Sequence, residues 1–130
     1  MIVDSSALVA VIRQESDAAA IHRALGAARR VRMSAANYLE ASVVIDGARD
    51  PVARREVDGY LERMDIEVVP LTPDQARVAR EAYRDFGRGS GHRAELNFGD
   101  CMAYALAKDT GEPLLYKGDD FVHTDVIAAV

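Results

Sequence analysis

The stretch Leu96–Ala107 contains the first of four acidic side chains that could do chemistry. It predicts a buried, alanine-rich helix with Asn97 as its N-cap, so Asp100 falls in the first turn. The pair Asn97-x-x-Asp100 is also typical of a capping box, in which the acid only closes the start of the helix. The sequence leaves both roles open for Asp100.

Two further acids follow predicted strands. Asp4 comes directly after the apolar run Met1–Val3 and precedes the helix-like run Ser5–Ile12. This position suits an N-cap as well as it suits a functional acid. Asp119 comes shortly after a predicted strand at Pro113–Tyr116. Both acids are therefore expected where strands end.

Glu40 is the most unusual of the four acids. It lies in a helix predicted for Ser34–Gly47, and a helical wheel places it on a largely apolar face. That face comprises Ala36, Leu39, Val43, Val44 and Gly47. An acid in an apolar stripe is costly unless a partner compensates it. The structural alternatives are an internal arginine partner or a position at the edge of the stripe.

Predicted strands and helices alternate along the chain, which favours an α/β fold with one largely parallel sheet. We expect a single domain over residues 1–130, with four to five short strands flanked by helices. The predicted strands are Met1–Val3, Val31–Met33, Ile66–Val69, Pro113–Tyr116 and Val126–Val130. In such sheets, functional groups gather at the carboxyl ends of the strands.

Helix signals fill the segments between the strands. Thr72-Pro73-Asp74-Gln75 is a specific start signal, a capping box with proline at the first helical position. The Asp100 helix is expected to end near Thr110-Gly111. The other predicted helices are Ser5–Ile12, Ala18–Ala28, Ser34–Gly47 and Pro51–Met64. The glycine-punctuated segment Phe86–Asn97 predicts a loop.

Composition sets outer limits. The chain is 49% hydrophobic and 28% charged, which is typical of a globular domain rather than of disorder. The net charge of −5 does not decide the partner, because a cluster of acids would bind cations. The N-terminus lacks a basic, signal-like region and no apolar run is long enough for a membrane span. Cys101 is the single cysteine, so we expect a cytoplasmic protein.

Four carboxylates brought together repel each other, at about 4 kcal/mol for a pair 4 Å apart at an effective dielectric near 20. Such a cluster therefore predicts a bound cation, and oxygen ligands point to Mg²⁺ or Mn²⁺. His22, His92 and His123 have no zinc-type spacing. A divalent ion held by acids can activate water and neutralise phosphate charge, which is the chemistry of phosphodiester hydrolysis.

The motifs that carry these acids, taken in order, resemble those of PIN-domain ribonucleases, and most closely those of VapC-type toxins. The motifs are Met1-Ile2-Val3-Asp4-Ser5-Ser6-Ala7-Leu8, the Glu40 helix, Asn97-Phe98-Gly99-Asp100-Cys101 and Lys117-Gly118-Asp119-Asp120-Phe121. Each motif alone is weak, whereas their order and spacing agree from the first residue nearly to the last.

The resemblance implies that Asp4, Glu40 and Asp100 bind Mg²⁺, with Ser6 as a polar support. The fourth acid is open: many relatives separate two aspartates before the phenylalanine, whereas Asp119 and Asp120 are adjacent here. We favour Asp119, with Asp120 as its competitor.

The resemblance further implies a Mg²⁺-dependent endoribonuclease that acts as the toxin of a toxin–antitoxin pair. Its implied partners are an RNA substrate, a cognate antitoxin that fills the active-site groove, and a second copy in a homodimer. The candidates for RNA phosphate contact are Arg13, Arg88, Arg93 and Lys117.

Two alternatives stay open at this point. A receiver-type signalling domain is also a small α/β fold with Mg²⁺-binding acids at strand ends. It requires paired acids after the first strand, whereas Asp4 is followed by Ser5 and Ser6. It also requires a phosphoacceptor aspartate after a central strand, where this chain has Pro70 and Leu71. The other alternative is a catalytically inactive PIN fold used only for binding, which the retained acids argue against.

Overall fold

The protein is described by a computed structural model that covers residues 1–130. Its centre is a sheet of four parallel strands in the order β3-β2-β1-β4. The strands are β1 (Ile2–Val3), β2 (Val31–Ser34), β3 (Ile66–Val69) and β4 (Leu114–Leu115). The predicted α/β class and the parallel sheet are confirmed.

The C-terminal tail departs from its prediction, because Val126–Val130 forms no strand. It meets β4 at one isolated bridge, between Leu114 and Ala128. Upstream of this bridge, Asp125 is held by the Tyr104 hydroxyl and the Lys108 ammonium group, at 2.7 and 2.9 Å. The tail therefore crosses the sheet edge at a point instead of running along it, and the sheet has four strands.

Six helices cover the sheet, and their starts follow the capping signals in the sequence. Thr72 accepts a hydrogen bond from the Gln75 amide at 3.1 Å, and Gly111 ends the last helix in the left-handed conformation. The helices are α1 (Ser5–Ile12), α2 (Ala18–Ala27), α3 (Ala35–Gly47), α4 (Pro51–Arg63), α5 (Pro73–Phe86) and α6 (Phe98–Thr110). No helix is both long and apolar enough to cross a membrane.

The core has two halves, one on each side of the sheet. Ile2 and Leu114 point into the half built with α5 and α6, whereas Val3 and Leu115 point into the half built with α1 to α4. This division follows from the alternation of side chains along a strand. Because both faces are covered, β1 and β4 are apolar on both sides, whereas β2 and the edge strand β3 carry the charged residues Arg32 and Glu67.

Helix α3 presents a different face to the core than the wheel predicted. The residues that it buries are Asn37, Ala41 and Ile45. Leu39 and Val43, expected beside Glu40 in a buried stripe, are 63% and 62% exposed. The prediction of Glu40 within a buried apolar stripe is therefore wrong. Apolar residues lie on both sides of this helix, and the side that carries Ala41 and Ile45 packs into the core.

Candidate active site

Asp4 stands directly after β1, where it caps α1 and is almost fully buried, at 1% exposure. Its Oδ2 accepts hydrogen bonds from the Ser6 amide at 3.0 Å and the Ser6 hydroxyl at 2.5 Å. Its Oδ1 is buried without any hydrogen-bond partner. The cap thus occupies one oxygen of the carboxylate and leaves the other unsatisfied.

Burial raises the pKa of Asp4 to about 6, against the lowering effect of the Ser6 hydrogen bonds and with a further rise from the charge of Glu40. The Ser6 hydroxyl also accepts a hydrogen bond from the Lys117 amide at 3.0 Å. Ser6 therefore ties Asp4 to the segment that follows β4, which gives it the supporting position that the resemblance implied.

Glu40 on α3 is half-buried, and its carboxylate faces the neighbouring elements. Its Oε1 accepts hydrogen bonds from the Ser5 hydroxyl and, at 3.5 Å, from the Asn37 side-chain amide. No arginine or lysine pairs with it, so the alternative of an internal arginine partner is wrong. Neutral donors from α1 and α3 hold this acid in place.

The Glu40 carboxylate lies against the backbone of Gly99 at the start of α6. A β-carbon at residue 99 would overlap the carboxylate group, so any other residue there would displace Glu40 from this position. Asn37 strengthens the same contact, because its side-chain amide donates to the Gly99 carbonyl at 3.0 Å. Helix α3 is thereby locked to the turn that carries Asp100.

Asp100 completes the capping box that its spacing with Asn97 predicted. Its Oδ2 accepts from the Asn97 amide at 2.9 Å, and the Asn97 side-chain oxygen accepts from the Asp100 amide at 2.8 Å. Burial raises the pKa of Asp100 to about 7 against the lowering effect of the Asn97 amide, and the charges of Asp4 and Asp120 raise it further. Asp100 therefore caps α6, and the charges of Asp4 and Asp120 also act on its carboxylate.

The structure brings Asp120, rather than Asp119, next to Asp100. Gly118, with φ of +93°, turns the chain after β4 and sets the directions of the two following side chains. Asp120 is among the acids that raise the pKa of Asp100, although the side chains of Asp119 and Asp120 are both exposed. The structure thus gives Asp120 a contact with Asp100, while the identity of the fourth acid stays a prediction.

No basic side chain forms a salt bridge with any of these four clustered acids. As the side chains stand, no three of them are close enough to share one ion. A divalent cation nevertheless fits the donor set, because all donors are carboxylate oxygens and the buried Asp4 Oδ1 lacks a partner. At this acid-rich edge of the sheet, a cation would offset the repulsion between the acids and supply a partner for Asp4 Oδ1.

Sequence analysis missed three residues that organise this edge. Asn37 had a usable signal, since it precedes Glu40 by three residues and so shares its helix face. Ser5 and Gly99 had none, because their contacts with Glu40 join segments far apart in the chain. Tertiary structure alone reveals those two contacts.

The basic residues proposed for phosphate contact have different surroundings. Lys117 is paired with Glu15 and, at 3.4 Å, with Asp17. Arg13 reaches the Val44 carbonyl at 3.4 Å. The remaining two candidates, Arg88 and Arg93, are exposed in the loop before α6 and form no salt bridge.

Comparison with known proteins agrees with this architecture. The PIN domain family matches residues 1–127. Ribonuclease VapC28 of Mycobacterium tuberculosis is 57% identical over 130 residues, covering all of this chain and 98% of that protein. Ribonuclease VapC42 of the same species is 52% identical over 126 residues, covering 97% of this chain and 96% of that protein.

Solved structures show the same fold at low sequence identity. Mycobacterium tuberculosis VapC20, described as a sarcin–ricin loop cleaving toxin, superposes with a TM-score of 0.77 at 16% identity and covers 97% of this chain and 95% of its own. A chain of a toxin–antitoxin complex from Klebsiella pneumoniae gives 0.74 at 14% identity, covering 99% and 97%.

A parallel sheet whose carboxyl edge carries unpaired acids, together with the family match over nearly the whole length, defines the class of this protein. The chain belongs to the PIN-domain family, and within that family to the VapC type. The resemblance found in the sequence is confirmed, and the receiver alternative is excluded.

Proposed function

We propose that this protein is a Mg²⁺-dependent endoribonuclease that acts as the toxin of a toxin–antitoxin pair. The observation that carries the proposal is the set of four carboxylates at the sheet edge without a basic partner, one of them with a buried, unsatisfied oxygen. Relatives at 57% and 52% identity over nearly the full chain are named as VapC ribonucleases, which supports RNA as the substrate.

Asp4, Glu40 and Asp100 are the residues that we propose as ligands of Mg²⁺, or of Mn²⁺ in its place. Asp120, replacing Asp119 in this role, would complete the ligand set or orient the attacking water. When bound, the cation supplies a water molecule of lowered pKa and neutralises phosphate charge. Cation binding favours the ionised carboxylates, so the raised pKa values of Asp4 and Asp100 would fall toward ordinary values.

The histidines do not form an alternative acid–base pair at this edge. The ring of His22 is hydrogen-bonded to the Tyr60 hydroxyl at 3.0 Å, on α2 and α4. His92 accepts from the Ala94 amide within its own loop, and His123 is exposed in the C-terminal tail. Hydrolysis by an activated water therefore suits this chain better than attack by the RNA 2′-hydroxyl, which needs a general base and a general acid flanking the phosphate.

The ends of the RNA products test this proposal. We expect fragments with a 5′-phosphate and a 3′-hydroxyl, formed with Mg²⁺ and not with EDTA, and read by mass spectrometry. A substrate with one 2′-deoxy sugar at the cleaved position should still be cut, more slowly if recognition is lost. A 2′,3′-cyclic phosphate, or complete resistance of a well-bound 2′-deoxy substrate, would refute hydrolysis by an activated water.

The unpaired acids at this edge are also the basis of the protein partners that we propose. A protein that covers unpaired acids should present basic or apolar groups to them, which is the chemistry that we propose for a cognate antitoxin. We further propose a homodimer that acts in the cytoplasm on RNA. Expression of the protein alone should arrest growth, and co-expression of its antitoxin should restore it. Normal growth with abundant folded, unmutated protein would overturn the toxin assignment while leaving the fold unaffected.

A further inference from the structure

Asn37 is a fully buried amide that touches two parts of the acid-rich edge at once. Its side chain, at 0% exposure, donates to the Gly99 carbonyl at 3.0 Å and to Glu40 Oε1 at 3.5 Å. Gly99 immediately precedes Asp100, so one side chain fixes Glu40 with respect to the first turn of α6. A buried polar group with such contacts is costly to misplace, which makes the arrangement rigid.

The contact between Glu40 and Gly99 explains why a donor is needed there. The Glu40 carboxylate approaches the Gly99 backbone so closely that a side chain at residue 99 would force the carboxylate to move. The Gly99 carbonyl oxygen has a partial negative charge and the Glu40 carboxylate a full one, so a donor shared by the two offsets their repulsion. Asn37 supplies N–H donors toward both groups, and Ser5 adds a hydroxyl donor to the same Glu40 oxygen.

We propose that Asn37 is a positioning residue that sets the affinity of the site for a divalent cation by holding Glu40 against the start of α6. This inference rests on the metal site proposed above. Groups that orient ligands from outside the coordination sphere typically change metal affinity by about 10- to 100-fold when removed. The effect is expected to pass through Glu40, since Asn37 is hydrogen-bonded to that acid and to no other.

Gln75 offers a matched control for the structural consequences of removing a buried amide. It is 4% exposed, donates to Asp109 at 3.0 Å, and has an unpartnered side-chain oxygen, as Asn37 does. Asp109 lies nine residues beyond Asp100 on α6, which is about 13 Å along the helix axis. Gln75→Ala therefore perturbs the same helix at its other end.

The test is a calorimetric titration of the full chain with Mn²⁺ alone, for the unaltered protein and for Asn37→Ala, Gln75→Ala, Glu40→Gln and the double variant Asn37→Ala/Glu40→Gln. We expect Asn37→Ala to raise the Kd for Mn²⁺ by about 10-fold or more, and Gln75→Ala to change it by less than about twofold. In the Glu40→Gln background, Asn37→Ala should have no further effect. Asn37→Ser, a smaller change, gives the same comparison if the alanine variant does not fold.

The outcomes separate this inference from the proposed function. Unchanged Mn²⁺ affinity in folded Asn37→Ala, or an equal loss in Gln75→Ala, would overturn the positioning role while leaving the metal site intact. A full effect of Asn37→Ala in the Glu40→Gln background would overturn it as well, because the action would not pass through Glu40. If the unaltered protein binds no Mn²⁺, the metal site and the positioning role both fail.

Discussion

The two ends of β1 handle acidic side chains in opposite ways. At the amino end, Glu112 forms ion pairs with the Met1 amine and with Arg32. At the carboxyl end, Asp4 meets other acids and has no basic partner. The two-residue strand β1 thus separates an acid that is ion-paired, Glu112, from an acid that has no basic partner, Asp4.

The two ends differ in whether the folded chain itself neutralises their acids. The amino-end cluster is complete in the folded chain, since each charge has an opposite charge beside it. The carboxyl-end cluster has no opposite charge beside it, and burial together with the neighbouring acids raises the pKa of Asp4 to about 6 and that of Asp100 to about 7. Ion pairs thus serve structure at one end, whereas acids with raised pKa values at the other end are typical of functional sites.

The largest effect should come from removing one acid at the carboxyl end. Asp100→Asn keeps the size of the side chain and an acceptor for the Asn97 amide, but removes the charge that we propose to bind the cation. Cleavage of RNA should fall by roughly 100-fold or more, with little change in the fold. The measurement is the initial rate of RNA cleavage, beside a circular dichroism spectrum.

Glu112→Gln is the matched variant at the amino end, because it removes one charge of a partly buried acid without touching the site. Its cleavage rate should equal that of the unaltered protein. Cleavage by Asp100→Asn at an undiminished rate would reduce Asp100 to a helix cap.

The second effect concerns the stability of the protein without metal. The folded Asp4 carboxyl keeps its proton up to about pH 6, whereas the unfolded chain releases it near pH 3.9. Between these values the folded state binds more protons, so the free energy of unfolding falls as pH rises. Asp4 should lower that free energy by about 2 kcal/mol at pH 7 relative to pH 4.

Urea unfolding in EDTA measures this effect. Relative to the unaltered protein, Asp4→Asn should gain stability as pH rises from 4 to 7, because the uncharged amide escapes the penalty. Parallel pH profiles for the two proteins would show that folding does not raise the pKa of Asp4.

Sequence analysis succeeded where the signals are local. The cap at Thr72, the capping box of Asn97 and Asp100, and the strand-end position of Asp4 depend on a few neighbouring residues, and all three are present. A helical wheel likewise fixed the neighbours of Glu40 on its own helix. The wheel alone does not show which side of α3 faces the core, because apolar residues lie on both sides. The packing of the neighbouring elements determines which side is buried.

For a related reason, the sequence alone does not show whether Asp119 or Asp120 lies near Asp100. Adjacent side chains in a turn point in different directions, and the backbone at Gly118 determines which of them meets Asp100. The approach of Glu40 to Gly99 joins α3 to α6 across 59 positions of the chain, and no local pattern encodes it. The sequence therefore predicts a set of candidate acids, whereas the contacts between them become visible only in the folded structure.

The third effect is stabilisation by the cation. Mg²⁺ binds the folded cluster and not the dispersed acids of the unfolded chain, so it should raise the free energy of unfolding by about 1 to 3 kcal/mol at about ten to a hundred times its Kd. Thermal unfolding with Mg²⁺ and with EDTA measures the difference. Glu112→Gln should respond as the unaltered protein does, and Asp100→Asn should respond less. A melting temperature that ignores Mg²⁺ would contradict a site formed in the folded chain.

The smallest effect belongs to the amino end. The side chains of Glu112, Arg32 and Met1 are 24%, 18% and 10% exposed, so the ion pairs at this end are neither fully solvated nor fully buried. Burial lowers the pKa of the Met1 amine, and the charges of Arg32 and Arg30 lower it further, so these surroundings disfavour the charged form that pairs with Glu112. Glu112→Gln should therefore lower the free energy of unfolding by about 1 to 2 kcal/mol, between the values for exposed and buried pairs. The loss should be smaller at pH 9 than at pH 7, because the amine with its lowered pKa has released its proton by pH 9 and then gains less from an acid. Urea unfolding at pH 7 and pH 9 measures it, and an equal loss at both values would mean that Arg32 alone accounts for the contribution of Glu112.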